Sequence, residues 1–501
     1  MNKAISTTFL ATLLLSGCGG GGDSSAPSAP KYKWQIIQLQ TQKESEMKSG
    51  CIIYGTSETD DSRVMTASVA NTGYNILFHN ADGTIIDEHT IPAADVPSTG
   101  IVTINSALVP DEGYVSLEEL DRDFTGQPDV YMLSVEKSLL SDSVFSVRSA
   151  QTGSDCYKGK DYRTTVDTSD TAALSALQLS GVSYYKTSYS AELVAGSEIS
   201  AHVPVRSPLP ATKNTLVTAF YASENQQHTD LAYYGFIEPQ YIYDTEDSGD
   251  IISVELTSED LLPMYWQAAS NLSLDDGSAI LAIHNNNSYH WQTLYEQVDE
   301  FSIFSNSRLV SHWVGLFSGS TLDSQWQFDS FVAIDSDSSA VSLELPDLAS
   351  IDSVNLSSNC SSEYSAASYC LDNGNSFSSE HFALQRSQLR LLSHADSRVF
   401  YQTIYAQPKA AQVVLQSSAS ELQVSSVDRL ELALLNGELS ADKRDYFMAS
   451  YMDSQTIAES NIVNEFSDAN GLVVTPEELD NLYLNMLKNT STISHNAKTG
   501  S

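Results

Sequence analysis

Positive charge is scarce in this chain. Lysine and arginine number 25 against 64 aspartates and glutamates, a formal net charge of −39. A surface of that sign repels a phosphate backbone, which excludes nucleic acid as a partner and disfavours lying flat on anionic lipid. It reads as a solvated, salt-tolerant surface, with diffuse capture of divalent cations as the alternative. Long apolar runs are missing as well. Beyond the leader, nothing in the sequence approaches the roughly twenty apolar residues that span a bilayer as a helix. Cysteine is rare, 5 in 501 residues, and no C-x-x-C occurs, which argues against thioredoxin-like chemistry; zinc spacing is also absent.

Catalytic signatures are absent too. There is no Gly-x-Ser-x-Gly elbow; the nearest string, Phe317-Ser318-Gly319-Ser320, does not fit it. There is no His-Glu-x-x-His for zinc and no Gly-rich loop followed by Lys and Ser/Thr for phosphate. Paired carboxylates for glycoside hydrolysis can be drawn anywhere among 64 acidic residues, so they single out no site.

What is present begins at the first residues. Lys3 opens the chain, and Ala4 to Leu15 form a short apolar stretch interrupted by Ser6, Thr7, Thr8 and Thr12. Leu15-Ser16-Gly17-Cys18 follows and resembles the lipobox of bacterial lipoproteins. The resemblance covers residues 1–18 only and implies cleavage before Cys18 with acylation of its thiol. One acyl chain anchors marginally, at roughly 0.8 kcal/mol per buried CH₂, so the two or three chains of a processed lipoprotein make anchoring durable. Residue 19 is glycine rather than aspartate, which in such lipoproteins favours the outer membrane over the inner. Residues 19–33, Gly-, Ser- and Pro-rich at their start, read as a flexible tether that holds the body about 20 Å from the membrane. The membrane, through lipid, is thus the first expected partner.

With Cys18 lipidated, Cys51, Cys156, Cys360 and Cys370 remain, an even number in an exported chain. The simplest pairing joins Cys51 to Cys156 and Cys360 to Cys370. Hydrophobic content of 41% supports packed cores.

The body reads as mainly β. Short β-rich runs recur about every ten residues, broken by Gly, Asp, Asn and Ser. Among them are Arg63–Val69, Tyr74–His79, Val130–Val135, Thr215–Tyr221, Leu231–Ile237, Leu384–Leu392 and Val399–Tyr405. Asp82-Gly83 marks a hairpin turn. The expected division is a β-sandwich-like domain over 34–160, a second β-rich region over 161–350 and a third over 351–457. A helical hairpin over 458–490 and a disordered tail over 491–501 follow. A β-propeller is the alternative to two or three sandwiches. Trp291, Leu294, Tyr295 and Val298 have helical spacing and predict one short helix, and Tyr446–Tyr451 predicts a strand. Near the end, Leu479, Leu482, Tyr483, Met486 and Leu487 share a helical face. Thr475, Pro476 and Glu478 there form a capping box, and Ala458, Ile462 and Phe466 imply the preceding helix.

One metal motif is present. Asp244-Thr245-Glu246-Asp247-Ser248-Gly249-Asp250 through Glu255 places oxygen ligands where an EF-hand loop has them, with Asp244, Glu246, Ser248, Asp250 and Glu255 as candidate Ca²⁺ ligands. Its flanks look like strands, so a polar hairpin turn is the competing reading. Asp111–Leu120 and Asp468–Gly471 match only fragments of such loops. His290-Trp291 and His312-Trp313 lie in a region, 257–335, that holds four of the five tryptophans. Exposed, they would make a stacking surface for sugars or a partner protein; buried, they are core with histidine at the rim, which is the expectation.

These features predict no catalytic residue and no resident cofactor beyond the Ca²⁺ candidate. They point to an outer-membrane lipoprotein with a structural or binding role at the cell envelope, its expected partner an envelope protein or a polysaccharide. A coat lipoprotein of an appendage such as a sheathed flagellum is one version. An envelope hydrolase acting on polysaccharide is the opposing class.

Overall fold

The computed structural model describes residues 29–57, 62–120, 129–148, 152–158, 175–176, 179, 181–188, 194–195, 214–221, 230–237, 253–254, 256–296, 298–304, 309–335, 338–348, 351, 355–357, 360, 369–372, 378–395, 397–409, 412–419, 424–449, 456–457 and 471–498. The chain is mainly β. Its centre is a 12-stranded sheet. In spatial order the strands are Asn287–Thr293, Ala279–His284, His312–Thr321, Gln327–Ile334, Thr490–Lys498, Ser426–Asn436, Phe382–Ser393, Arg398–Ala406, Val130–Glu136, Tyr114–Leu120 and Tyr74–His79, with Leu272–Leu274 paired beside His312–Thr321. Arg398–Ala406 and Val130–Glu136 run parallel; the other neighbours in this sheet are antiparallel.

Both faces of this sheet are covered, and side-chain alternation feeds two cores. Leu133 and Val135 enter one core with Trp34, Ile36, Val102, Ile104 and Phe145 of an 8-stranded sheet built on Lys31–Lys43. Val130 and Met132 enter the other, with Met264, Trp266, Phe301 and Ile303 of a 3-stranded sheet and Leu216, Phe220 and Tyr234 of a 4-stranded one. Residues in alternate register point to opposite faces, so a strand covered twice is apolar throughout rather than alternating. Val130–Glu136 and Ala279–His284 are buried at every position.

Residues from all three expected β regions share the central sheet, so the boundaries at 160/161 and 350/351 do not separate sheets. Among the described residues the sheets are open, with neither a closed barrel nor radial four-stranded blades, which sets the propeller aside. The expected tail is corrected: Thr490–Lys498 is an interior strand of the central sheet, held between Gln327–Ile334 and Ser426–Asn436. Residues 31–33, expected in the tether, already form the first strand. The helix expected around Trp291 is a strand, Asn287–Thr293, with a bridge between Tyr295 and Val298 beyond it. Tyr446 to Met448 lie in a helix, Ala441–Met448, not a strand. Ser440 caps it by accepting from the Lys443 N–H at 3.2 Å, and Phe447 and Met448 are buried. The Pro476–Met486 helix carries the expected capping box, Thr475 and Glu478 bonding reciprocally. The two helices pack on each other through Tyr446 and Tyr483, and Lys443 donates to the Lys488 carbonyl. A helical pair exists, but its first member is 441–448; residues 458–470 lie outside the described residues.

The hairpin turn at Asp82-Gly83 is present. Gly83 has φ +76°, its N–H donates to Asn80 O, and a Cβ there would meet the Leu415 carbonyl. Cys51–Cys156 and Cys360–Cys370 are disulfides, 105 and 10 residues apart in sequence.

Carboxyl groups, two of them buried, tie the first third of the chain to the last. Glu118 accepts from Ser418 Oγ at 2.6 Å, from the Ala419 N–H at 3.0 Å and from Asn75 Nδ2 at 2.9 Å. Glu136 accepts from the Gln407 N–H at 2.5 Å, and Asp129 from the Val399 N–H at 2.8 Å.

Two outcomes follow. Glu118→Leu leaves three donors without an acceptor, at about 1–3 kcal/mol each, so urea unfolding should show a loss of at least about 3 kcal/mol. Replacing Cys51 and Cys156 by serine should cost about 4–5 kcal/mol, against about 3 for Cys360 and Cys370, because the first bridge closes the longer loop; equal losses in calorimetry would refute that ranking.

Candidate functional site

A cavity of about 690 Å³ opens between the helical pair and the central sheet. Sheet register builds its floor. Ser318 pairs with Asp329, and Asp329 with Thr492, in one cross-strand row. Gln327, Ser494, Ala433 and Arg386 follow one another in the next row. Both rows lie on the face that carries Leu435 and Leu384 into the helix-side core. Where the helices cover the sheet the floor is apolar; where the cover ends it turns to hydroxyl, amide and carboxyl groups. Gln327 and Asp329 are exposed, and Ser318 and Thr492 half-buried. Ser318 Oγ donates to Asp329 Oδ1 at 2.6 Å.

The walls are aromatic. Tyr483 lies edge-on to Phe331 with ring centroids 5.7 Å apart, and Tyr446 lies 5.9 Å from Tyr483. Asp275 and Asp480 stand at the rim, both exposed. The one arginine of the lining, Arg386, donates to Glu431 at 3.0 Å and lies over the Phe447 ring. No histidine is among the lining residues. The arrangement offers hydrogen bonds and ring faces; the group facing the Ser318 hydroxyl is the exposed Asp329 carboxyl, not a histidine.

The candidate Ca²⁺ ligands Asp244, Glu246, Ser248, Asp250 and Glu255 lie outside the described residues, as do Cys18 and the leader. Among the described residues no group of three or more His, Cys, Asp or Glu is placed to hold a metal ion. Asp111 of the weaker loop fragment pairs with Lys137 at 2.8 Å, and Tyr114–Leu120 beyond it is a central strand. Trp266, Trp291, Trp313 and Trp326 are all buried, as the core reading expects. The Trp291, Trp313 and Trp266 N–H groups donate to the carbonyls of Ser302, Phe304 and Val298.

A second constellation crosses the opposite part of the same face. Register aligns Arg429, Arg390, Tyr401, Tyr131 and Glu119 across five strands. Tyr131 and Tyr401 stack with centroids 4.7 Å apart, Arg148 sits 4.0 Å over Tyr131, and Arg390 pairs with Asp428. Burial pushes the Tyr131 hydroxyl up to about 12 against the pull of Arg148. The network is internally matched, cation to ring and cation to carboxyl, and reads as a staple.

Burial disfavours the charged form of two histidines and of one carboxyl group. His79 is fully buried; its Nδ1–H donates to Gly83 O at 3.1 Å, which leaves Nε2 buried without a hydrogen-bond partner. Burial lowers His79 to about 4, against the weaker opposing effect of the Gly83 bond. His290 is also lowered to about 4, first by burial and then by Lys186, whose Nζ donates to Nδ1 at 3.3 Å. Burial raises the Glu136 carboxyl, an effect reduced by the Gln407 bond.

No protein-family model, no curated protein and no solved structure matches this chain.

The buried histidines set a pH dependence. A histidine lowered in the folded state stabilises the fold above its ordinary value, and that contribution is lost as pH falls from 6.5 toward 4. The loss for His79 is on the order of 3 kcal/mol. His79→Gln should flatten unfolding free energy against pH across this window by about one proton; a slope equal to that of the unaltered protein rules the assignment out.

Proposed function

We propose that this chain is a lipid-anchored outer-membrane protein with a non-catalytic binding role at the cell envelope. The observation that carries the reading is the pairing of a Leu15-Ser16-Gly17-Cys18 leader with two formed disulfides, since disulfides persist in the oxidising space to which such a leader directs a protein. Chemistry at the described sites supports binding over catalysis. Buried carboxyl groups are used as acceptors for backbone and side-chain donors, and His79 is enclosed, with burial favouring its neutral form. The partner is an envelope protein or polysaccharide, and coating of an envelope appendage is one form of the role.

The second reading, a hydrolase acting on envelope polysaccharide, draws on a specific observation: Asp275, Asp329 and Asp480 all line the open cavity. Released reducing ends on incubation with cell-wall or capsular polymer, lost in Asp329→Asn, would establish it.

Anchoring is tested at the thiol. Cys18→Ser should move the protein from the outer-membrane fraction to the soluble one and abolish incorporation of labelled palmitate. A full-length mutant that still sediments with outer membrane, unlabelled, would refute the proposal.

A further inference from the structure

The geometry points to the cavity beneath the helical pair as a binding site for a short segment of neutral polysaccharide, with Gln327, Asp329, Thr492 and Ser494 holding its hydroxyls and Tyr446 and Tyr483 facing its rings. The inference rests on the envelope-binding reading, which supplies a polysaccharide as a partner class, and it specifies where that partner sits.

Size comes first. About 690 Å³ falls within the roughly 300–1,000 Å³ of small-ligand sites. The floor then selects chemistry. An apolar ligand would strip water from Gln327, Thr492 and the free oxygen of Asp329, at about 1–3 kcal/mol for each polar group left unpaired. An anion meets Asp329, Asp275 and Asp480 in a chain of net charge −39, while Arg386 is engaged by Glu431. A cation would satisfy the carboxyl groups, yet it presents donors only. The floor also offers the Gln327 amide N–H₂ and the hydroxyls of Thr492 and Ser494, groups able to donate. A polyol presents donors and acceptors together and matches the mixed floor. A sugar ring has in addition one C–H face of low polarity. Tyr446 and Tyr483 of the helical pair line the same cavity and provide ring surface for that face.

Register makes the floor a fixed template. Ser318, Asp329 and Thr492 are direct cross-strand partners on three adjacent strands, and Gln327 and Ser494 are partners one row away. Asp329 is oriented by the Ser318 hydroxyl at 2.6 Å. Hydrogen-bonding groups on paired strands need little ordering on binding, which favours recognition of a stiff, repeating ligand.

The test is calorimetric titration of the full-length protein in detergent with chitotetraose, maltotetraose and cellotetraose. At least one should bind. Gln327→Ala with Asp329→Ala, both exposed positions, should weaken it about tenfold or more at unchanged melting temperature. Hydrogen exchange on the unaltered protein should show protection at 327–329 and 476–486 when that sugar is added, which keeps the test informative if the double variant unfolds. Binding of none of the three at millimolar concentration overturns the assignment. So does equal binding by the folded double variant, protection elsewhere, or spermidine binding in the cavity in place of sugar. Cys18→Ser protein should bind sugar as well as the unaltered chain, so a failure of anchoring and a failure of sugar binding are separate results.

Discussion

The fold depends on one strand pairing, the parallel contact of Arg398–Ala406 with Val130–Glu136. It joins three antiparallel strands from the first third of the chain to nine antiparallel strands completed in the last, making a single 12-stranded surface. Carboxyl groups fasten both ends of the contact: Asp129 takes the Val399 N–H and Glu136 the Gln407 N–H, across separations of 270 and 271 residues. Closing so long a loop costs little more than closing one of half its length, because the entropy grows only logarithmically. The kinetic consequence is larger. Contacts of this separation must be closed across a long loop before they stabilise the sheet, which slows folding relative to local hairpins.

A sheet covered on both faces has a second consequence. Each strand must send apolar side chains both ways, and the covering layers must end somewhere. On one face the 8-stranded sheet covers the Tyr74–Ala406 half and the helical pair covers part of the rest. Past the helices the same face continues over His312–Thr321, Gln327–Ile334 and Thr490–Lys498, now with Ser318, Asp329, Thr492 and Gln327 outward. The cavity is where cover runs out over a sheet too wide for it. Its rigidity comes from the buried side: Phe317, Phe328 and Ile493, from the same three strands, point into the opposite core.

Legibility in the sequence followed the physics of each segment. Tyr74–His79, Thr215–Tyr221 and Leu231–Ile237 were readable to their ends because β-branched and aromatic residues run between polar breaks. The capping box at Thr475 was readable because it is a local hydrogen-bond pattern. Trp291, Leu294, Tyr295 and Val298 misled because a strand followed by a tight turn also returns apolar residues at intervals of three and four. Tyr446-Phe447-Met448 looked like strand, while the signal that decides it, Ser440 ahead of Ala441-Asp442-Lys443, lies upstream. Thr490–Lys498 looked like a fraying tail: Thr-Ser-Thr-Ile-Ser-His-Asn-Ala-Lys has one large apolar residue, Ile493, and its place between two strands is set by partners 55 and more residues away. The cavity was not legible, since its floor and walls come from segments around 318, 329, 446, 480 and 492, and register alone brings them together.

Acidity illustrates why composition and site chemistry part company. The 64 acidic residues serve at least two different ends. Glu118, Glu119 and Glu136 are buried on central strands, where each accepts hydrogen bonds from groups distant in sequence and so specifies which strands meet. Asp275, Asp329 and Asp480 are exposed around the cavity and constrain what can enter it. A general acid for glycoside cleavage needs a carboxyl group pushed toward neutrality by burial and set opposite a second one. Here burial raises Glu136, which accepts the Gln407 N–H inside the fold, and Asp445, which is paired with Arg444, while the aspartates facing the cavity stand in solvent. The division places the carboxyl groups that hold strands together in the interior and leaves those around the cavity in solvent.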